Sequence, residues 1–154
     1  MTDQIPELRE LPLTSYAGII IPATHVTIGK VEIPAKPSPR TVLVWGTIES
    51  SSLNLYAVPP LMDVEVRLGD PVSGELIASG LGRSRNGVSV ATVVPRIVTL
   101  PADTESQLYV NLVHASDCDS PILLEFTADN SNSALFAIEV PTKPVPEYEK
   151  ALSA

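Results

Sequence analysis

The sequence predicts an all-β fold: an antiparallel β-sandwich or jelly roll with extended N- and C-terminal arms. Fifteen prolines recur every few residues outside the apolar runs, which excludes long helices. Apolar and polar residues alternate with a period of two in several runs, most clearly in MDVEVRLG from Met62 to Gly69. Such runs follow one another at spacings of roughly 8–12 residues with turn signals between them, as in a sandwich or jelly roll. With 154 residues, 44% of them hydrophobic, the chain suits one domain that builds its own core.

Residues 1–18 contain Pro6 and Pro12 and read as an N-terminal arm. The sandwich then spans residues 19–140. Its first strand starts at Ile19, breaks at Pro22 and resumes through THVTIGKVEI. There Val26 and Ile28 share one parity and Val31 and Ile33 the other, so a β-bulge is expected at Gly29. Pro34 to Arg40 is a stiff connector. TVLVWGTI, from Thr41 to Ile48, is apolar on both parities and predicts a central or interface strand with both faces covered. In MDVEVRLG, Met62, Val64, Val66 and Leu68 face the core, whereas Asp63, Glu65 and Arg67 face water.

The DPVSG turn leads to a second strand, and Asn86-Gly87 ahead of VSVATVV signals a two-residue hairpin. RIVTL follows between two prolines. QLYVNLVHA places Leu108, Val110, Leu112 and His114 on one face. PILLEFTA and ALFAIEV predict a final hairpin in which Ile122, Leu124 and Phe126 face Phe136 and Ile138. Residues 141–154, with three prolines in six residues, form the C-terminal arm.

Ten basic against eighteen acidic residues give a net charge of -8, which disfavours nucleic acid and anionic membranes as partners. Between Ile19 and Val140 there are thirteen acids and seven bases, so the charge is spread along the chain and not held in a tail. The single cysteine, Cys118, rules out an intrachain disulfide. Residues 1–10, MTDQIPELRE, lack the pattern of a secretory leader, and no apolar run reaches the length of a membrane span. The expectation is a protein used without secretion.

No constellation points to catalysis or to a cofactor. His25 and His114 both sit in strand patterns without a supporting ligand set. The Asp117-Cys118-Asp119 loop lacks the glycine and distal glutamate of a calcium loop. The glycines and arginines from Gly80 to Gly87 fit neither a P-loop nor a dinucleotide fingerprint. No serine or cysteine has a recognisable base. We therefore expect a non-enzyme that neither requires nor retains a metal.

Candidate partner-binding residues are Ile5, Leu8, Leu11 and Leu13, apolar positions in an arm too interrupted to cover them. Trp45 is a candidate anchor, because large aromatics concentrate binding energy. Arg83 and Arg85, a close pair of cations in an acidic chain, and Tyr148 in the C-terminal arm complete the set.

In its alternating strands MDVEVRLG and QLYVNLVHA, its single cysteine and its arms ending in PTKPVPEYEKALSA, the chain resembles the capsid decoration (cement) proteins of tailed bacteriophages. That resemblance implies a structural virion protein, made in the host cytoplasm. It would be a homo-oligomer, a trimer, that grips a major capsid protein or another virion protein and stabilises the shell. The alternatives are a receptor- or carbohydrate-binding sandwich of a tail fibre or adhesin, with Trp45, Tyr56 and Tyr109 as the aromatics, and a small jelly-roll enzyme in which His25 and His114 converge with carboxylates.

Overall fold

A computed structural model describes residues 7–21, 24–53, 62–85, 88–114, 121–129 and 132–141. They contain twelve strands and no helix: β1 Glu7–Glu10, β2 Tyr16–Ile20, β3 His25–Ile33, β4 Arg40–Leu53, β5 Met62–Leu68, β6 Glu75–Gly80, β7 Gly82–Arg85, β8 Val88–Pro95, β9 Val98–Leu100, β10 Ser106–His114, β11 Ile122–Phe126 and β12 Ala134–Pro141. All pairings are antiparallel. The protein is an all-β, sandwich-like fold.

The strands form one curled sheet that folds into two layers. The longer layer is organised on β4, which pairs with β12 and then β11 along one edge, and with β9 and then β8 along the other. The shorter layer runs β3-β10-β5-β6. β8 joins the layers: its first residues pair with β4, and Val94 and Pro95 pair with β6. Switching layers within one strand is how a sandwich turns a corner. Gly46 of β4 marks the point where β12 and β8 both reach the strand. Its φ is 144°, and a Cβ there would lie 2.1 Å from the Ala134 carbonyl oxygen.

The core follows the alternation. Val64 and Val66 of β5 and Leu108, Val110, Leu112 and His114 of β10 are buried against Val42, Val44, Ile48, Leu124, Phe126 and Leu135 of the longer layer. Asp63, Glu65 and Arg67 lie on the wetter face of β5, as their parity predicts. The expected bulge is present: Val110 pairs with Gly29 and Asn111 with Thr27, so Ile28 is the extra residue. That insertion lets Val26 and Ile28, then Ile33, all reach the core. β7 pairs with β8 with Arg85 opposite Val88, while Asn86 and Gly87, which signal the hairpin, lie outside the described residues.

Two expectations are corrected. β11 and β12 do not pair with each other; both pair with β4, and β11 also pairs with β2. Leu135, Ala137 and Glu139 are the buried residues of β12, so Phe136 and Ile138 point outward. The second correction concerns the N-terminal arm, whose described part is built into the fold. β1 pairs with β12, and Leu11 donates its N–H to the Leu135 carbonyl at 2.9 Å. Thr14 then donates to the Ile28 carbonyl, so this stretch crosses from one layer to the other and plugs the sandwich between them. Leu11 is buried and Leu13 packs on the core. Removing residues 1–13 is therefore expected to lower stability by about 3 kcal/mol or more, from lost apolar burial alone. Urea unfolding of the truncated and full chains measures this, and equal midpoints would contradict it.

Candidate interaction surface

The outward face of the longer layer is where sequence and structure part company. Strand alternation sends Leu43, Trp45, Thr47 and Glu49 of β4 outward. The register sets Phe136 beside Trp45, Ile138 beside Leu43, and Leu8 of β1 beside Ile138. Across β4, Val90 lies beside Glu49. Leu8 is 63% exposed, Trp45 37% and Val90 38%, while Phe136 and Ile138 are half-buried. The ring centroids of Trp45 and Phe136 are 6.1 Å apart with planes inclined at 30°, a stacked pair.

The stack borders a shallow depression whose rim is polar: Thr47, Glu49 and Asn132 line it with Val90. Asn132 donates to Glu49 at 2.9 Å, and Ser133 Oγ accepts the Glu49 N–H at 2.8 Å. This is a flat apolar and aromatic surface with an amide and a carboxylate at one side. It can dock a protein surface or the face of a sugar ring. Among the described residues, the expectation that both faces of TVLVWGTI are covered holds only for the inner face.

A second constellation closes one end of the sandwich. Glu139 of β12 is buried, and its Oε1 accepts from Arg40 Nε at 2.7 Å while its Oε2 accepts from Arg9 Nη2 at 3.0 Å. Lys36 lies 3.7 Å from Glu139 and 3.0 Å from Glu7. Arg40 also donates to the carbonyls of Pro34 and Thr104, and its Nη1 has no partner among the described residues. β1 is thus clamped to the sheet by charge as well as by its ladder. The Lys36 hydrogen bond holds the Glu7 carboxyl below its usual value of 4.5, aided by the charges of Lys36 and Arg9. A carboxylate whose pKa is depressed on folding stabilises above its unfolded value and loses that contribution as pH falls through the lower, folded value. Acidification below about pH 4.5 is therefore expected to loosen β1 ahead of the core. Amide exchange at residues 7–10 as a function of pH checks this, and protection constant down to global acid unfolding would contradict it.

The outer face of the shorter layer is polar. His25 lies 3.2 Å from Glu65, which also accepts from Arg67 at 2.9 Å. Asn111 is buried here because the loop after β5 folds over it: its amide donates to the Pro71 carbonyl at 2.6 Å and its oxygen accepts from Thr27. His25 pairs with Val113, so it faces away from the buried His114 of the same strand pair. The two histidines do not converge. Among the described residues no three His, Cys, Asp or Glu side chains gather as metal ligands, and no helix is long and apolar enough to cross a membrane.

Of the candidate residues, the structure brings Leu8 and Trp45 onto one face and puts Leu11 and Leu13 in or against the core. Burial of Leu11 within its own chain withdraws it as a partner contact. Arg83 and Arg85 stand opposite Val90 and Val88 in β7. Ile5 and Tyr148, like Tyr56, Cys118 and the C-terminal arm beyond Pro141, lie outside the described residues. Sequence reasoning missed Phe136 and Ile138 as surface residues and Glu139 as a buried one. The acid in ALFAIEV points to the opposite parity, so nothing in that stretch alone gives the observed facing.

A curled antiparallel sandwich with one open apolar face is the class of protein these features define. No family model matches the chain, and no curated protein does. Solved structures similar to it include the CocE/NonD family hydrolase SACOL2612 from Staphylococcus aureus, with a TM-score of 0.48 and 8% identity over 88% of this chain and 37% of that one. The VP2 subviral particle of infectious bursal disease virus gives a TM-score of 0.43 and 11% identity over 88% of this chain and 33% of VP2. The Gx strain of the same virus gives 0.44 and 10% over 97% and 44%. The structural neighbours thus include viral capsid proteins and a hydrolase alike, and the chain spans less than half the length of each.

Proposed function

We propose that the protein is a structural assembly module, acting by attachment and not by catalysis, that docks neighbours through the open face of its longer layer. The observation that carries this reading is the contiguous row of Leu8, Ile138, Leu43, Phe136 and Trp45 left outward by the fold. Apolar surface gathered on one sheet face favours a cover, whereas the same residues scattered singly would not. In line with the resemblance to phage decoration proteins, the assembly is a virion. The partners are further copies of this chain, in a trimer, and a major capsid protein or another virion protein. The terminal segments contribute to the grip.

Trp45 is the only tryptophan, so its fluorescence reports on this face. With rising protein concentration its emission should shift to the blue and its quenching by acrylamide should fall, while light scattering gives the mass of a trimer. Trp45→Ala should weaken association by about thirtyfold or more, because a central aromatic anchor typically contributes about 2 kcal/mol or more. A chain that stays monomeric at tens of micromolar, with Trp45 fully quenchable, would count against the reading.

One observation favours a second reading. The Trp45–Phe136 ledge, flanked by Asn132 and Glu49, offers an apolar platform and hydrogen-bonding groups in the arrangement that a neutral sugar ring needs. Saturable quenching of Trp45 by an oligosaccharide, or binding on a glycan array, would move the protein to the carbohydrate-binding class.

A further inference from the structure

Five strands have one neighbour each among the described residues: β1, β2, β3, β7 and β9. Such an edge displays a row of backbone N–H and C=O groups and templates another strand unless it is guarded. β1 carries Glu7, Arg9 and Glu10 in its four residues. β3 has a bulge, Lys30 and Glu32; β7 has Arg83 and Arg85; β9 is three residues long and stops at Pro101. β2, Tyr16-Ala17-Gly18-Ile19-Ile20, has none of these guards.

No charged residue occurs between Glu10 and His25, and no proline between Pro12 and Pro22. Outward apolar residues gather at this edge: Ile19 is 72% exposed, Ile21 59%, and Leu123, paired with Ile19 in β11, 49%, with the charged Glu125 beyond them, beside Ala17.

We propose that β2 is a self-recognition edge, pairing antiparallel with β2 of a second copy so that the longer layer continues across a two-fold axis. An extended strand is the partner that free ladder groups call for. A second copy is the occupant because antiparallel pairing of one strand with itself is self-complementary about a two-fold. Charge points the same way. Two chains of net charge -8 repel, and their closest approach costs least where a long stretch carries no charge at all. The contact also merges the Ile19 and Leu123 pairs of both copies into one apolar strip. This inference goes beyond the assembly reading, and it holds whether or not the Trp45 face is used.

Residues near a two-fold meet their own copies, which gives a direct test on the full-length chain. In a Cys118→Ser background, Ser15→Cys, Ala17→Cys and Ile19→Cys are oxidised mildly at tens of micromolar protein, with Ser73→Cys, exposed on the β5–β6 turn, as the control. At least one β2 variant should form a covalent dimer at least about tenfold faster than the control. Ile19→Lys sets like charges beside each other across the axis, and it should weaken dimer formation by about tenfold or more with an unchanged circular dichroism spectrum.

The proposal is overturned if all three cysteines cross-link no faster than Ser73→Cys, or if folded Ile19→Lys associates as tightly as the natural chain. Should Ile19→Lys not fold, the cysteine rates decide. Cross-linking at β2 together with a Trp45→Ala variant that associates normally would sustain this edge while removing the reading built on Trp45.

Discussion

Replacing Val66 with aspartate is expected to leave the protein unfolded or only marginally folded at room temperature. Val66 is fully buried on β5, between Val110 of β10 and Ala78 of β6, with no polar group provided on its face by either neighbour. An ionised carboxylate there loses its hydration without gaining a partner, at an effective cost of several kcal/mol. Folded domains hold only about 5–15 kcal/mol in total, so one such change removes much of the margin. Thr92→Asp is the matched control, since position 92 points outward from β8 and should tolerate the charge within about 0.5 kcal/mol. Circular dichroism and urea titration measure both. A Val66→Asp protein with a near-natural midpoint would show that the facing of β5 is wrong.

Arg40→Ala carries the second large effect. Arg40 and Glu139 are both about 3% exposed and joined at 2.7 Å, so truncating the guanidinium strands a carboxylate in the sandwich end. Breaking a buried pair in this way costs about 3–5 kcal/mol. The lower end is expected here, because Arg9 and Lys36 remain near Glu139 and are each roughly a third exposed. Replacing both partners by apolar residues of similar size, Arg40→Met with Glu139→Leu, should recover most of the loss. A double-mutant cycle reads the coupling, and strictly additive single effects would mean that Arg40 acts through its packing instead of through Glu139.

The charge cluster and the open face share a cause, and it explains which parts of the protein were legible beforehand. MDVEVRLG has one apolar and one charged parity, so only one facing leaves the charges wet, and the fold adopts it. The slip at Gly29 was equally readable, since two apolar parities separated by a glycine require an inserted residue. ALFAIEV is different. Both of its parities are apolar apart from Glu139, and that acid points local pattern to burying Phe136 with Ile138, whereas the fold buries Leu135 with Ala137.

The choice is made by neighbours distant in sequence. Arg40, Arg9 and Lys36 meet Glu139 at the sandwich end and make its burial tolerable, and Trp45 then receives Phe136 on the outer face. The N-terminal stretch shows the same division. Its prolines and its scattered leucines suggest an arm in search of a partner, but Leu11 finds its cover between β12 and β3 of the same chain.

What the sequence by itself determined is therefore the all-β class, the strands whose two faces differ in chemistry, and the hairpins marked by turn residues. Period-two patterning and turn chemistry act within a few residues of one another. What only the tertiary structure decided is the facing of strands apolar on both sides, the pairing of β11 and β12 with β4, and the location of the open surface. These depend on which residues meet across the layers, where the burial of a charge such as Glu139 is set by partners roughly 100 to 130 positions away.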